Sequence, residues 1–146
     1  MEITETTALI RLGVSLLLGG AIGLERQLNR HPAGMRTFML ICVGCTMATL
    51  ASIYIGQANL GVKGADSSRI AAQAISAIGF IGAGLIMKSS EGVTGLTTAA
   101  TCFVTAAIGI AVGVGMIWTA SALTVAIVLI LLSTAILSKF QDKNKK

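Results

Sequence analysis

Four long stretches of the chain contain no charged residue, and short polar segments separate them. They run from Leu12 to Leu24, from Thr37 to Val62, from Ile70 to Met87 and from Gly92 to Ser138. A helix needs roughly 20 mostly apolar residues to cross the hydrocarbon core of a bilayer. The first three stretches can each hold one crossing, whereas the last, at 47 residues, fits two. The pattern therefore predicts an all-α membrane protein with five transmembrane helices.

The polar segments give approximate ends for these helices. The predicted bounds are Ala8–Leu24 for helix 1, Thr37–Ile55 for helix 2, Arg69–Met87 for helix 3, Leu96–Gly113 for helix 4 and Met116–Leu137 for helix 5. We expect residues 1–138 to form a single transmembrane domain and residues 139–146 to form a basic tail. The N-terminus lacks the basic start of a signal peptide, so we expect helix 1 to be retained.

Lysine and arginine are distributed unevenly between the two sides that these helices define. The loops after helices 1 and 3 and the C-terminal tail share one side, which carries Arg26, Arg30, Arg36, Lys88, Lys139, Lys143, Lys145 and Lys146. The opposite side has only Arg11, Lys63 and Arg69. Because basic residues accumulate in cytoplasmic loops, we expect the N-terminus outside and the C-terminus in the cytoplasm.

The composition agrees with a membrane protein and argues against other classes. Hydrophobic residues make up 54% of the chain and charged residues 12%, which is about half the charged share of soluble domains. The three cysteines, Cys42, Cys45 and Cys102, are odd in number and fall inside predicted helices, which argues against disulfides. No nucleophile stands with a matching base, so we expect no enzymatic activity. We also expect no nucleic-acid partner.

Small residues are concentrated in helices 1, 3 and 4. Lipid gives no hydrophobic push between helices, so the close approach of small residues matters for packing. The glycines that we expect to pack are Gly19, Gly23, Gly79, Gly82, Gly84, Gly95 and Gly109. We therefore expect helices 1, 3 and 4 to form the centre and helix 5 to face lipid. Short shared motifs suggest a parallel repeat of helices 1–2 and 3–4, with chance similarity as the alternative.

Glu25 and Arg36 are the first candidates for a functional polar group. Glu25 closes predicted helix 1 and Arg36 opens predicted helix 2. Each has the wrong sign for its helix dipole, so pairing would compensate both. We expect a pair, or a network that includes Arg26. Solvation of both side chains at the interface is the alternative.

Asp66, Arg69 and Gln73 are the second candidates, at the opposite side of the predicted bundle. The Asp66 carboxylate can cap helix 3 by accepting hydrogen bonds from backbone N–H groups of its first turn. A cation site is the sharper hypothesis, because Mg²⁺ prefers oxygen ligands and keeps several waters, so that one or two carboxylates suffice. Asp66 and Glu25 are the candidate metal ligands. Gln73 is expected to be a buried polar group that needs a partner.

The motifs of the chain, taken in order, carry a family resemblance. They are Gly20–Arg26, His31–Thr37, Asp66–Gln73, Ile78–Gly84, Gly95–Ala100 and Ala106–Gly109. This series resembles the MgtC/SapB family of bacterial membrane proteins and covers most of residues 20–113. The resemblance implies an inner-membrane protein tied to growth in low magnesium and, in some pathogens, to survival in macrophages. Many members carry a soluble C-terminal domain after the last helix, which puts functions that need it in doubt here.

Two functions follow from the residues and the resemblance together. The first is a regulator that binds another membrane protein, such as the F-type ATP synthase that family members are reported to restrain, and that forms a homodimer. The second is a small oligomeric channel or transporter for Mg²⁺ or another cation. The polar residues expected to matter in either case are Glu25, Arg26, Arg36, Thr37, Asp66, Arg69, Gln73, Thr97 and Thr98.

Overall fold

The computed structural model describes residues 3–58, 68–90 and 92–143, and it confirms an all-helical fold. The described elements are α1 (Glu5–Leu28), α2 (Met35–Ala58), α3 (Arg69–Leu85), β1 (Met87–Ser89), β2 (Gly92–Thr94), α4 (Leu96–Val114) and α5 (Ile117–Lys143). The five helices follow the five apolar segments predicted from the sequence.

Three of these helices are long and apolar enough to cross a membrane, namely α1, α2 and α4. Helix α3 is apolar but has 17 residues, which corresponds to about 25 Å of helix against a hydrocarbon core of about 30 Å. Helix α5 has 27 residues, and its charge-free part runs from Ile117 to Ser138. The five crossings, and the side on which each terminus lies, stay predictions.

Several helix ends differ from the predicted ones. Helix α1 begins at Glu5 after the N-cap Thr4, and it continues one turn past Leu24 to Leu28. Glu25 therefore lies inside the helix rather than closing it. Helix α5 continues to Lys143, so the predicted basic tail from residue 139 begins within the helix. Charge-free stretches underestimate the lengths of these helices because the terminal turn of a helix tolerates charged residues.

The predicted loop between helices 3 and 4 is a short β-hairpin. Strands β1 and β2 pair antiparallel, with Lys88 opposite Val93 and Ser89 opposite Gly92. Gly95 then starts α4 with a left-handed φ of 85°, and a Cβ at this position would collide with the carbonyl oxygen of Leu85. Glycine is required there on both counts. Strands of three residues leave no alternation long enough to be recognised in a sequence.

Helices α1, α2 and α4 form the centre of the bundle, with α2 in the middle. A Cβ added at Gly19 would lie 2.7 Å from the Phe38 carbonyl oxygen, and one at Gly23 would lie 2.5 Å from the Met35 Cα. On the other side of α2, a Cβ at Gly109 would collide with the carbonyl oxygen of Cys42. The glycines of α1 and α4 thus let both backbones touch α2 directly.

The expectation that helices 1, 3 and 4 form the centre is wrong for helix 3. In α3, Ile78 and Gly82 are the buried residues. The Cβ positions of Gly79 and Gly84 have no atom within 4 Å, and that of Gly82 makes only ordinary contact with Ala99. Helix α2 takes the central place because it packs against both α1 and α4, with large residues such as Phe38 and small ones such as Cys42 buried alike. The parallel repeat stays a prediction.

Buried hydroxyl groups donate to carbonyl oxygens throughout this centre. Thr46 donates to the carbonyl oxygens of Cys42 at 3.0 Å and of Gly109 at 2.8 Å, which links α2 to α4. At the end of the bundle where α4 terminates, Arg11 Nη1 donates to the Gly113 carbonyl oxygen at 2.6 Å. A cation there complements the negative end of the α4 dipole.

The glycine contacts predict a clear difference between two equivalent substitutions. Gly109→Ala should lower the free energy of unfolding by about 1–3 kcal/mol, because the new methyl group meets the α2 backbone. Gly79→Ala should cause no loss, since its Cβ position is open and alanine favours helix. Denaturant titration of the purified protein in mild detergent, followed by circular dichroism, measures both. Equal stability of the two variants would contradict the packing described.

Candidate functional site

A buried charged cluster joins the C-terminal part of α1 to the first turn of α4. Glu25 is 5% exposed, Arg26 is 3% exposed and Thr98 is 3% exposed. Ionic side chains are rarely so buried unless they are paired or functional. We call Glu25, Arg26, Asn29 and Thr98 the Arg26 cluster.

Hydrogen bonds hold the cluster together across a long separation in sequence. Arg26 Nη2 donates to Thr98 Oγ1 at 3.0 Å, between residues 72 positions apart. Asn29 Nδ2 donates to Glu25 Oε1 at 2.6 Å and also to the Glu25 carbonyl oxygen at 3.1 Å. The extra turn of α1 makes this second contact, because it places Asn29 one turn after Glu25. The cluster therefore fixes the end of α1 and ties it to α4.

Two buried atoms of the cluster have no hydrogen-bond partner: Glu25 Oε2 and Arg26 Nε. An unsatisfied buried polar atom costs about 1–3 kcal/mol, more when it is charged. One of these atoms accepts and the other donates, and the two side chains have opposite charges. The cluster therefore keeps one unused acceptor and one unused donor in the buried end of α1.

A metal ion fits the Arg26 cluster poorly. The described residues contain no group of three or more His, Cys, Asp or Glu side chains that could hold a metal ion. Glu25 Oε1 is engaged by Asn29, and the positive charge of Arg26 interacts with Glu25. A cation bound at the other carboxylate oxygen, Glu25 Oε2, would be repelled by that positive charge. The geometry favours a structural role over a Mg²⁺ site at Glu25. We call the hydrogen bonds of Arg26 to Thr98 and of Asn29 to Glu25 the lock.

The predicted Glu25–Arg36 ion pair is not formed. Arg36 lies in the first turn of α2 and is exposed, and the hydrogen bond of the Glu25 carboxylate goes to Asn29. Because α1 continues past Glu25, this side chain points into the bundle one turn before the connection to α2. The predicted network of Glu25 and Arg36 with Arg26 is not formed either, because Arg36 lies outside it; Arg26 and Glu25 interact electrostatically with each other.

The remaining predicted site residues lie apart from the cluster. Thr37 is half-buried near Arg36, and Thr97 is exposed in the first turn of α4. Arg69 and Gln73 are exposed at the start of α3, so the expected burial of Gln73 is wrong. Sixteen residues of helix, about 24 Å, separate Arg69 from the end of α3 that adjoins α4. Asp66 lies outside the described residues.

His31, which the sequence analysis names only as the start of the His31–Thr37 motif, lies beside the cluster. Its backbone N–H donates to the Arg26 carbonyl oxygen at 3.0 Å. Partial burial lowers the pKa of the His31 imidazole below its usual 6.5, the Arg26 charge lowers this pKa further, and the Glu25 charge acts in the opposite direction. The imidazole therefore senses both charges of the cluster from the loop outside the helices.

The Arg26–Thr98 bond predicts different costs for two matched threonine substitutions on α4. Thr98→Val should lower the free energy of unfolding by about 1–3 kcal/mol, because the buried guanidinium loses an acceptor. Thr101→Val should cost less, since Thr101 Oγ1 donates only to the Thr97 carbonyl oxygen of its own helix. Chemical denaturation in detergent measures both, and a larger loss for Thr101→Val would contradict the lock.

The His31 imidazole gives a spectroscopic probe of the cluster, because it is the only histidine of the chain. Its midpoint, followed by NMR, should lie below pH 6.5 and fall further in Glu25→Gln, which removes the charge that favours the imidazolium. Since the folded state disfavours the charged ring, the free energy of unfolding should decrease as the pH falls through 6.5. Glu5→Gln, in the first turn of α1, is the control. A midpoint that rises in Glu25→Gln would refute the arrangement.

Comparison with known proteins gives a consistent picture. A family model described as "MgtC family" matches residues 12–140. The chain is 46% identical over 110 residues to "Putative magnesium transporter YhiD" of Escherichia coli (strain K12), which covers 74% of this chain and 51% of that protein. It is 42% identical over 118 residues to "Protein MgtC" of Brucella abortus (strain 2308), covering 80% and 47% of the two chains.

A third relative and the extent of the matches complete the comparison. "Protein MgtC" of Salmonella typhimurium is 40% identical over 119 residues, which cover 82% of this chain and 48% of that protein. The chain thus spans about half the length of the curated relatives it matches. No solved structure shows a significant match.

Proposed function

Because the chain belongs to the MgtC family, we propose that it is a multi-pass protein of the bacterial inner membrane that serves magnesium homeostasis by binding another membrane protein. Growth in low magnesium, and survival of a pathogen in its host, are the processes in which this role is expected. The F-type ATP synthase is one partner of this kind. In this role the chain regulates its partner and carries no ions itself.

The observation that carries this proposal is the closed packing of the central helices. The backbones of α1 and α4 touch α2 at glycines where even a Cβ would collide with a neighbouring atom. The hydroxyl groups of Thr46 and Thr105 in this centre donate to carbonyl oxygens of α2 and α4, so they hold the helices rather than project into an open space. Among the described residues, the centre of a single chain thus leaves no room for a hydrated cation.

A companion proposal is that the chain forms a homodimer. The outer side of α3 offers small residues that no part of the described chain covers, including Gly79 and Gly84. Such residues let a second helix approach closely in a membrane. A dimer should show twice the 14.9 kDa mass of the chain in mild detergent.

A small oligomeric cation channel or transporter is the second candidate function. The name of the Escherichia coli relative favours it, although the chain spans only half of that protein. The unpartnered Oε2 of Glu25 is a buried carboxylate oxygen of the kind that occurs along ion and proton paths. Because the centre of one chain is closed, the path would have to run between copies.

Two parallel assays separate these functions. The purified protein in liposomes should give no Mg²⁺ flux above that of empty liposomes, measured with an entrapped Mg²⁺ dye. The same chain should restore growth at low magnesium in a bacterium that lacks its own relative. Glu25→Gln should reduce the restored growth severalfold, because it weakens the lock, whereas Glu5→Gln should not.

The opposite pattern would support the channel. A Mg²⁺ flux that requires the protein and decreases in Asp66→Asn or Glu25→Gln would overturn the regulatory role. Flux that persists in both variants would still refute a purely regulatory function and would move the path elsewhere. Expression of each variant at the wild-type level, shown by immunoblot, is the control in the growth assay.

A further inference from the structure

Two cavities of different character adjoin at the start of α2. The first, of about 350 Å³, is lined by Gln27, Gly34, Met35, Arg36 and Thr37. The second, of about 420 Å³, is a groove between α2 and α3 that begins at Thr37 and reaches Gly44 and Cys45. Thr37 lines both, so a polar pocket continues directly into an apolar groove.

The polar pocket has an uncompensated positive character. Arg36 is exposed, and no described residue pairs with it. The first turn of α2 contains no acidic residue to offset the positive end of the helix dipole. Gln27 Oε1 accepts from the Met35 N–H at 3.3 Å, which leaves the Gln27 amide NH₂ group free to donate. Among the residues that the structure describes, no carboxylate lines this pocket, and its donors and positive charge complement an anion.

The groove is suited to a hydrocarbon chain. Apart from Thr37, its lining is apolar and includes Leu40, Ile41, Ala74 and Ile78. It follows α2 for eight residues, about 12 Å, which is less than half of a hydrocarbon core of about 30 Å. The Cβ position of Gly44 has no atom within 4 Å, so no side chain of the described residues fills this space.

We infer that this chain binds one anionic phospholipid, with its phosphate in the polar pocket and an acyl chain in the groove. Arg36, Thr37 and the Gln27 amide hold the phosphate oxygens, and the α2–α3 groove holds the upper part of the acyl chain. One anionic phospholipid thus fills both the polar pocket and the apolar groove. A free phosphate or an uncharged hydrocarbon would fill only one of them. The site is distinct from the Arg26 cluster and does not depend on the proposed regulatory role.

Native mass spectrometry of the purified full chain in mild detergent tests the site. Phosphatidylglycerol is the probe, and phosphatidylcholine with the same acyl chains and inorganic phosphate are the comparison ligands. Wild-type protein should bind one phosphatidylglycerol per chain, and Arg36→Gln should weaken this binding about tenfold. Phosphatidylcholine should bind wild-type protein about as weakly as phosphatidylglycerol binds Arg36→Gln. Inorganic phosphate at millimolar concentration should not displace the lipid.

Matched variants separate the head and chain contributions. Gly44→Leu fills the groove and should weaken both lipids about tenfold. Gly13→Leu, at another open glycine of an outer helix face, should change neither. Lys88→Gln removes one positive charge from the exposed hairpin and should leave phosphatidylglycerol binding at the wild-type level. Circular dichroism shows whether each variant is folded.

Wild-type protein supplies a test that no folding defect can disturb. Phosphatidylglycerol with a photoreactive group in its acyl chain should label peptides of α2 and α3. Labelling spread over α5 would overturn the site, as would wild-type affinity in both Arg36→Gln and Gly44→Leu. Displacement of the lipid by inorganic phosphate would assign the pocket to a free anion. If Gly44→Leu converted a dimer to a monomer without weakening the lipid, the groove would be a protein interface and the proposal would be wrong.

Discussion

The direct backbone contact of α2 with α1 and α4 is the constraint on which the rest of this structure depends. In a bilayer, helices gain nothing by hiding apolar surface from each other, so contact area and hydrogen bonds must supply the attraction. Glycines at positions 19, 23 and 109 bring the backbones together. Thr46 then reaches the Gly109 carbonyl oxygen of the neighbouring helix, which a bulkier contact would prevent. Close packing and polar satisfaction are therefore one requirement here.

The buried charges follow from the same geometry. With α1 and α4 held close, the Arg26 guanidinium reaches Thr98, and Glu25 is left beside it with one oxygen engaged by Asn29. Arg36, at the start of α2, is one of the charges that remain exposed at this end. The molecule thus separates two roles. The buried Arg26–Thr98 hydrogen bond joins α1 to α4, whereas the exposed Arg36 is available to an anionic ligand. A lipid at Arg36 would couple the bundle to the composition of its membrane without involving the Arg26–Thr98 hydrogen bond.

The sequence predicts the helices well because hydrocarbon demands long uncharged segments, which few other structures need. It predicts their ends less well, since a terminal turn tolerates Glu25 and Arg26, and this displaced the expected partner of Glu25 from Arg36 to Asn29. The Arg26–Thr98 contact joins positions 72 residues apart, and no periodicity connects them. The central role of α2 was missed because its contacts with α1 and α4 are made partly by its backbone, at Met35, Phe38 and Cys42, and backbone contacts leave no signal in its composition.

The spacing of the two arginines along α1 matches the spacing of their acceptors along α4. Arg11 and Arg26 are 15 positions apart, as are their α4 acceptors Gly113 and Thr98, so both pairs span about 22 Å. Helix α1 is therefore hydrogen-bonded to the antiparallel helix α4 near both ends. A sliding motion of one helix along the other would have to break both bonds together. Any rearrangement that a partner induces is thus directed to the periphery, where α3 and α5 are held by fewer close contacts.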